Sequence, residues 1–126
     1  MTAAIRMAGL TGADVDHVNA HATSTPVGDV GEAAAIARAV GTGALVTAPK
    51  SAIGHMFGAA GAVEAILSVR AIETGVVPAT LNLEHLDPAV DLDVVSGSAR
   101  TAPIRSALNN SFGFGGQNAS LVFTAA

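Results

Sequence analysis

The spacing of apolar positions changes several times along the chain, and each change marks an element. Residues 15–20, Val-Asp-His-Val-Asn-Ala, are short and rich in β-formers, and they follow the turn-like Thr11-Gly12-Ala13-Asp14. They predict a strand that delivers His21 at its carboxyl end. From Asp29 the spacing turns helical. Ala33, Ile36, Ala37 and Val40 share a face, Asp29 is a suitable N-cap, Glu32 completes a capping box three residues on, and Gly41 stops the helix. Residues 44–48, Ala-Leu-Val-Thr-Ala, fit a buried strand that Pro49 ends just before Lys50.

A second helix is expected over residues 57–74, ended by Gly75, with Ala62, Ile66, Val69 and Ala65, Val69, Ile72 as overlapping apolar faces. Its opening turns, Gly58 through Ala62, are all small residues that let another backbone approach closely, so this helix should be buried on several sides. Residues 76–82 read as extended, 83–88 as loop, and 93–95 as a short edge strand. Runs 104–108 and 119–123 flank a glycine-rich segment and should pair antiparallel, since Ala119, Leu121 and Phe123 alternate with Ser120, Val122 and Thr124. Residues 3–10 resemble the tail of a helix. The order predicts a single domain over residues 1–126, an α/β unit built as a β-α-β-α-β-β layer with a mixed sheet.

Composition adds a constraint on the surface. Half of the 126 residues are hydrophobic and 13% are charged, about half the usual share. Such a chain has little polar material to cover itself, so much of its surface should be buried against other protein. A net charge of −4 with six scattered basic residues leaves no footprint for nucleic acid or anionic lipid. The longest apolar stretch, 56–63, is too short to span a bilayer, so no membrane insertion is expected, and the start does not read as a secretory signal. With no cysteine, disulfides are excluded and a cytoplasmic location is the default.

Candidate chemistry collects around His21 and His55, each following a predicted element among small or hydroxyl residues, so both rings can face one cleft. Neutral imidazoles donate hydrogen bonds to a developing oxyanion, the demand when a thioester enolate forms. His17, within a strand, and His85, in a polar loop, read as structural. Metal binding fits poorly: His-x-His, His-Glu-x-x-His and Cys are all missing, and Asp29 is only a distant third ligand. Lys50-Ser51 lacks the glycines of a phosphate-binding loop. Glu64 falls inside an apolar helix and needs a partner; a Lys50–Glu64 ion pair either holds His55 in place or is a simple structural salt bridge. Gly113, Gly115 and Gly116 permit a turn that aims amide N–H groups into a cavity as an oxyanion hole, or else form a hairpin turn with a bulge. Phe112 and Phe114 in that turn can wall an acyl channel, and Thr23 and Thr25 add hydroxyls beside His21.

Four blocks, residues 19–26, 50–55, 58–66 and 110–116, occur in an order and at spacings that resemble the C-terminal portion of β-ketoacyl-acyl carrier protein synthases, the elongating condensing enzymes of fatty acid and polyketide synthesis. The likeness runs from about Ala3 to the end. The wording at 48–55 and at Leu81-Asn82-Leu83 looks most like actinobacterial enzymes that extend long acyl chains towards mycolic acids. The resemblance implies a thiolase-like fold of two similar halves, with this chain the second and the N-terminal half absent. It implies that His21 and His55 bind the malonyl thioester carbonyl and assist decarboxylation, that Lys50 and Glu64 organise the site, and that Thr23 and Thr25 hold the phosphopantetheine arm. The Phe114 N–H would contribute to the oxyanion hole and its ring would gate the pocket that Phe112, Gly113 and Gly115 help to line. Gln117 stands where relatives often carry His or Thr. The resemblance implies no resident cofactor, the substrates being carried on the phosphopantetheine of an acyl carrier protein, and a homodimer in the intact enzyme. It places the nucleophilic cysteine in the other half, so the chain alone should not condense. The alternative is a non-catalytic subunit like the chain-length factors of polyketide synthase heterodimers.

Overall fold

The computed structural model describes residues 1–126. In chain order its main elements are α1 (Thr2–Met7), β1 (His17–Asn19), α2 (Pro26–Ala39), β2 (Leu45–Thr47), α3 (Lys50–Ile53), α4 (Ala60–Thr74), β3 (Val76–Val77), β4 (Asp93–Val94), β5 (Arg100–Thr101), β6 (Ser106–Gly113) and β7 (Gln117–Thr124). Five strands form one sheet in the order β4-β2-β1-β6-β7, in which β1 runs parallel to both β2 and β6, β2 parallel to β4, and β7 antiparallel to β6. The sheet is therefore mixed, as expected. β3 and β5 pair separately as a two-stranded antiparallel ribbon.

β1 lies at the centre, and its three residues are buried on both faces. On one face Val18, Val46 and Leu108 pack with Ile5 of α1 and with Ile36 and Val40 at the end of α2. Full burial of a side chain such as Ile36 or Leu108 contributes about 1.5–3 kcal/mol each, which makes this layer the main source of stability. The other face is polar. Asn19 and Asn109, opposite one another in the β1–β6 register, donate through Nδ2 to the carbonyls of Glu64 (3.1 Å) and Gly61 (3.2 Å) on α4. A layer of amides thus binds the helix to the sheet where methyl groups would ordinarily do so.

Several expectations need correction. α2 starts at Pro26, not Asp29, because proline fixes φ and has no N–H to leave unmet at the first helical position. Asp29 lies in the first turn and accepts the Thr25 amide (3.4 Å), while Glu32 caps nothing and is buried. The short helix α3 and the strand β5 were not anticipated. β6 runs through Asn109–Gly113, so the turn is confined to Phe114–Gly116, with Gly115 and Gly116 at φ +74° and +80°. Gly113 is not part of the turn: it is extended at φ −96°, paired with Gln117.

The apolar faces assigned to α4 are not its buried ones. Ala60, Glu64, Ser68 and Ala71 form the stripe against the sheet, whereas Ile66 is 62% exposed. The amide layer explains the inversion, since Asn19 and Asn109 select small and polar residues on the facing helix and leave Ile66 outside, while Ile72 packs against the second core cluster further along. Met7, Val27, Phe57 and Phe114 are also exposed. Total accessible surface is 6977 Å², against about 6,100 Å² for a compact monomer of 12.4 kDa. The chain thus exposes more surface than a compact monomer of its mass, and Met7, Val27, Phe57 and Phe114 contribute to it.

Candidate active site

The carboxyl ends of β1 and β2 and the far end of β6 deliver the candidate residues to one edge of the sheet. His21 follows β1, Lys50 opens α3 just beyond β2, His55 follows α3, and Phe112 lies near the end of β6. The rings of His21 and His55 meet edge to face at 88°, centroids 5.7 Å apart, and Phe112 lies 5.6 Å from His21. All three line a cleft of about 600 Å³ together with Thr23, Thr25 and Phe114. His21 and Phe114, far apart in sequence, therefore converge on one cleft.

His21 is held through its backbone. Its amide and that of Ala22 donate to the two carboxylate oxygens of Glu32 (2.9 and 2.8 Å), and Asn110 Nδ2 donates to the same carboxylate at 3.0 Å. Asn110 Oδ1 in turn accepts from Ser120 Oγ on β7 (2.9 Å). This chain of bonds links α2, β6 and β7 to the loop carrying His21, which includes two non-glycine residues at positive φ, Ala22 (+22°) and Ser24 (+63°). Strained backbone persists where the surroundings over-determine it. Sequence reading missed Glu32 because a capping box seemed to account for it. The signal was its spacing: Glu32, Ile36 and Val40 recur every four residues on the buried side of α2.

Burial pushes the His21 imidazole pKa down, and the nearby Lys50 and His55 add to the shift against the opposing charge of Asp29. A neutral ring, able to donate a hydrogen bond without carrying charge, is thereby favoured. His17 is also pushed down by burial; it lies in the sheet with Nδ1 bonded to the Leu45 carbonyl (2.9 Å), the structural role expected.

Lys50 and Glu64 form the expected pair. Lys50 Nζ lies 2.6 Å from Glu64 Oε1, with side chains 5% and 0% exposed. Burial pushes the Glu64 carboxyl pKa up while Lys50 opposes the shift. Neither residue hydrogen-bonds His55, so the pair does not hold that ring directly. The bond to His55 comes from the Phe57 amide, which donates to Nδ1 at 3.2 Å. Glu64 Oε2, Asn19 Oδ1 and Asn109 Oδ1 are buried without partners.

The remaining residues sit at the rim. Phe114 is fully exposed on the three-residue turn, and Gln117 lies beside it. Gly61, at the start of α4, has the Ser111 hydroxyl 2.9 Å from where a Cβ would stand, so the small residue lets α4 close against β6. Taken together, the cleft offers two imidazoles at right angles, a buried lysine behind them and aromatic walls: an arrangement suited to stabilising negative charge on an oxygen that develops between the rings.

The family model for the β-ketoacyl synthase C-terminal domain matches residues 1–84. The chain is 56% identical over 124 residues to a 3-oxoacyl-[acyl-carrier-protein] synthase 2 of Mycobacterium tuberculosis, covering 98% of this chain and 30% of that protein. Among solved structures it is similar to the ishigamide ketosynthase/chain length factor (TM-score 0.93, 39% identity, 97% of this chain and 30% of the other). It is also similar to a type II polyketide synthase acyl-carrier protein in complex with its ketosynthase bound to the hexaketide (TM-score 0.88, 28% identity, 98% and 31%). The chain spans about a third of the length of the relatives it matches, and its α/β architecture is that of the thiolase-like ketosynthases. The chain belongs to the β-ketoacyl synthase family through that family's C-terminal domain.

Proposed function

We propose that this chain forms the decarboxylating side of a 3-oxoacyl-acyl carrier protein synthase acting in fatty acid synthesis, with long-chain extension towards mycolic acids as its specific setting. The observation that carries this is the pairing of His21 and His55 at 5.7 Å and 88° in one cleft. A malonyl thioester bound with its carbonyl oxygen between the two rings would lose CO2 from its carboxylate. The electrons of the broken C–C bond would pass into an enolate whose oxygen both imidazoles stabilise. The α-carbon would then attack an acyl thioester, and collapse of the tetrahedral adduct would expel a thiolate. That thiolate needs a cysteine, which these 126 residues do not contain.

On this reading Lys50 and Glu64 set the electrostatics behind the histidines, and Thr23 and Thr25 hold the phosphopantetheine arm of an acyl carrier protein. The Phe114 amide contributes to a second oxyanion site, and its exposed ring gates the acyl channel walled by Phe112 beside Gly113 and Gly115. No resident cofactor is needed, and the intact enzyme is a cytoplasmic homodimer. Retention of both histidines and Lys50 favours a synthase over a subunit that only shapes the pocket. The test is a chimera in which this chain replaces the matching stretch of the M. tuberculosis relative. We expect condensation of acyl and malonyl carriers by the chimera, its loss with His21→Ala, and none by the 126-residue chain alone. A chimera that folds but does not condense rejects the assignment.

A further inference from the structure

Behind the loop that carries His21 lies an apolar cavity. It has a volume of about 110 Å³ and sits between α2, β2 and the loop joining β3 to β4, walled by Ala33, Ile36, Val46, Leu83, Leu86 and Val90. The polar groups at its edge are already engaged. Glu32 accepts the His21 and Ala22 amides, Asp29 accepts the Thr25 amide, and Thr80 Oγ1 accepts the Ala48 amide at 3.0 Å. No buried polar atom without a partner belongs to the wall. A water there would lack the polar partners it requires, so the space favours an apolar occupant. An apolar cavity of about 150 Å³ binds benzene or xenon, and by proportion this one holds an uncharged molecule of about four heavy atoms.

The cavity adjoins the cleft through an intervening pocket of about 400 Å³. That pocket shares Asp29, Ala48 and Thr80 with the cavity, and Thr23 and His55 with the cleft. Ser24 and Ser51 line it beside Lys50. On the outer side the roof is held to the rest of the fold by side chains alone. Residues 82–91 make hydrogen bonds only among themselves, from the Ala89 and Val90 amides to Asp87, and Leu86 is 43% exposed. A path therefore leads from His55 through the hydroxyl-lined pocket and the cavity to solvent. We propose that CO2, small, uncharged and without a net dipole, enters this cavity after it leaves the malonyl thioester and passes to solvent beneath Leu86. The inference rests on the proposed decarboxylation, and it gives the product a way out while the acyl and pantetheine chains fill the mouth of the cleft.

Methyl-labelled valine and leucine report on the cavity in the 126-residue chain and in the chimera. Xenon, and CO2 at constant pH, should each shift the methyl signals of Val46, Leu83 and Val90. Ala33→Leu should abolish these shifts by filling the space. Val90→Phe fills it from the half-buried roof and keeps the test open if the helix substitution unfolds the chain. In the chimera with its cysteine replaced by alanine, CO2 that cannot leave stays beside the enolate. The α-carbon then re-forms its bond to CO2 as the enolate oxygen returns to a carbonyl, so release, not bond cleavage, limits the rate. Either filling variant should therefore lower kcat for CO2 release and bring the 13C isotope effect at the departing carboxyl down towards unity. No methyl shift under CO2, or shifts that survive both filling variants, overturns the site. An isotope effect unchanged by filling overturns the route. If the parent chimera releases no CO2, the decarboxylation reading fails instead, and the gas-induced shifts still decide whether the cavity binds CO2.

Discussion

Replacing Glu32 by glutamine should damage the site from behind. The carboxylate is 6% exposed and accepts three hydrogen bonds: Oε1 from the His21 amide and Asn110 Nδ2, and Oε2 from the Ala22 amide. A carboxamide with its oxygen at the Oε1 position keeps two of these but sets its NH2 against the Ala22 N–H, donor facing donor. One charge-assisted bond is lost and one amide is left unmet, which costs about 2–3 kcal/mol. Glu32→Ala leaves all three donors unmet. With the loop only partly buried, water recovers some of that loss, and we expect about 4–6 kcal/mol, a large part of the 5–15 kcal/mol typical of a small domain. The chain has neither Trp nor Tyr, so urea unfolding is best followed by far-UV circular dichroism. A glutamine variant within about 0.5 kcal/mol of the parent, the range of an ordinary surface change, would refute the view that Glu32 holds the His21 loop.

Lys50→Met should destabilise by about 3–5 kcal/mol because it leaves the Glu64 carboxyl buried without its partner, and adding Glu64→Leu should restore most of the loss; additive losses in denaturant titrations would contradict the pairing. The pH dependence has a definite sign: His17 and His21 are both pushed below their ordinary value of 6.5 by burial, so the unfolded chain binds protons first and stability should fall as pH drops below 6.5. Glu64, pushed up, acts oppositely, its contribution fading as pH rises through its folded value, so the histidine effect is read as the difference between the parent and His17→Asn in urea midpoints at neutral and mildly acidic pH. Gly61→Ala places a Cβ 2.9 Å from Ser111 Oγ and should cost about 1–3 kcal/mol by overpacking, with Ser111→Gly relieving it in the same assay.

Where the chain obeys ordinary patterning, its structure was legible in advance. The parallel pair β1 and β2 and the helix stop at Gly75 follow from β-branched runs and turn residues. The edge placement of β4 and the β6–β7 hairpin were likewise expected. The convergence of His21 and His55 was legible as well, since both follow elements that end on one side of a parallel sheet. What patterning hid was polar burial. Asn109 and Asn110 read as turn residues, yet they lie inside β6 because Glu32, Gly61 and Ser120 supply their partners from other elements. The same amide layer turned Glu64 and Ser68 inward and Ile66 outward, against the hydrophobic period of α4. Phe57 read as the start of a helix, whereas its φ is positive and its ring stacks on His55.

The most direct measurement is CO2 release from a malonyl thioester by the chimera with its cysteine replaced by alanine, which separates decarboxylation from acyl transfer. We expect release to persist in the cysteine-free chimera and to fall by about 100-fold or more with His21→Ala or His55→Ala, the scale for loss of an oxyanion donor. Release that survives both histidine substitutions would contradict the assignment of decarboxylation to this chain.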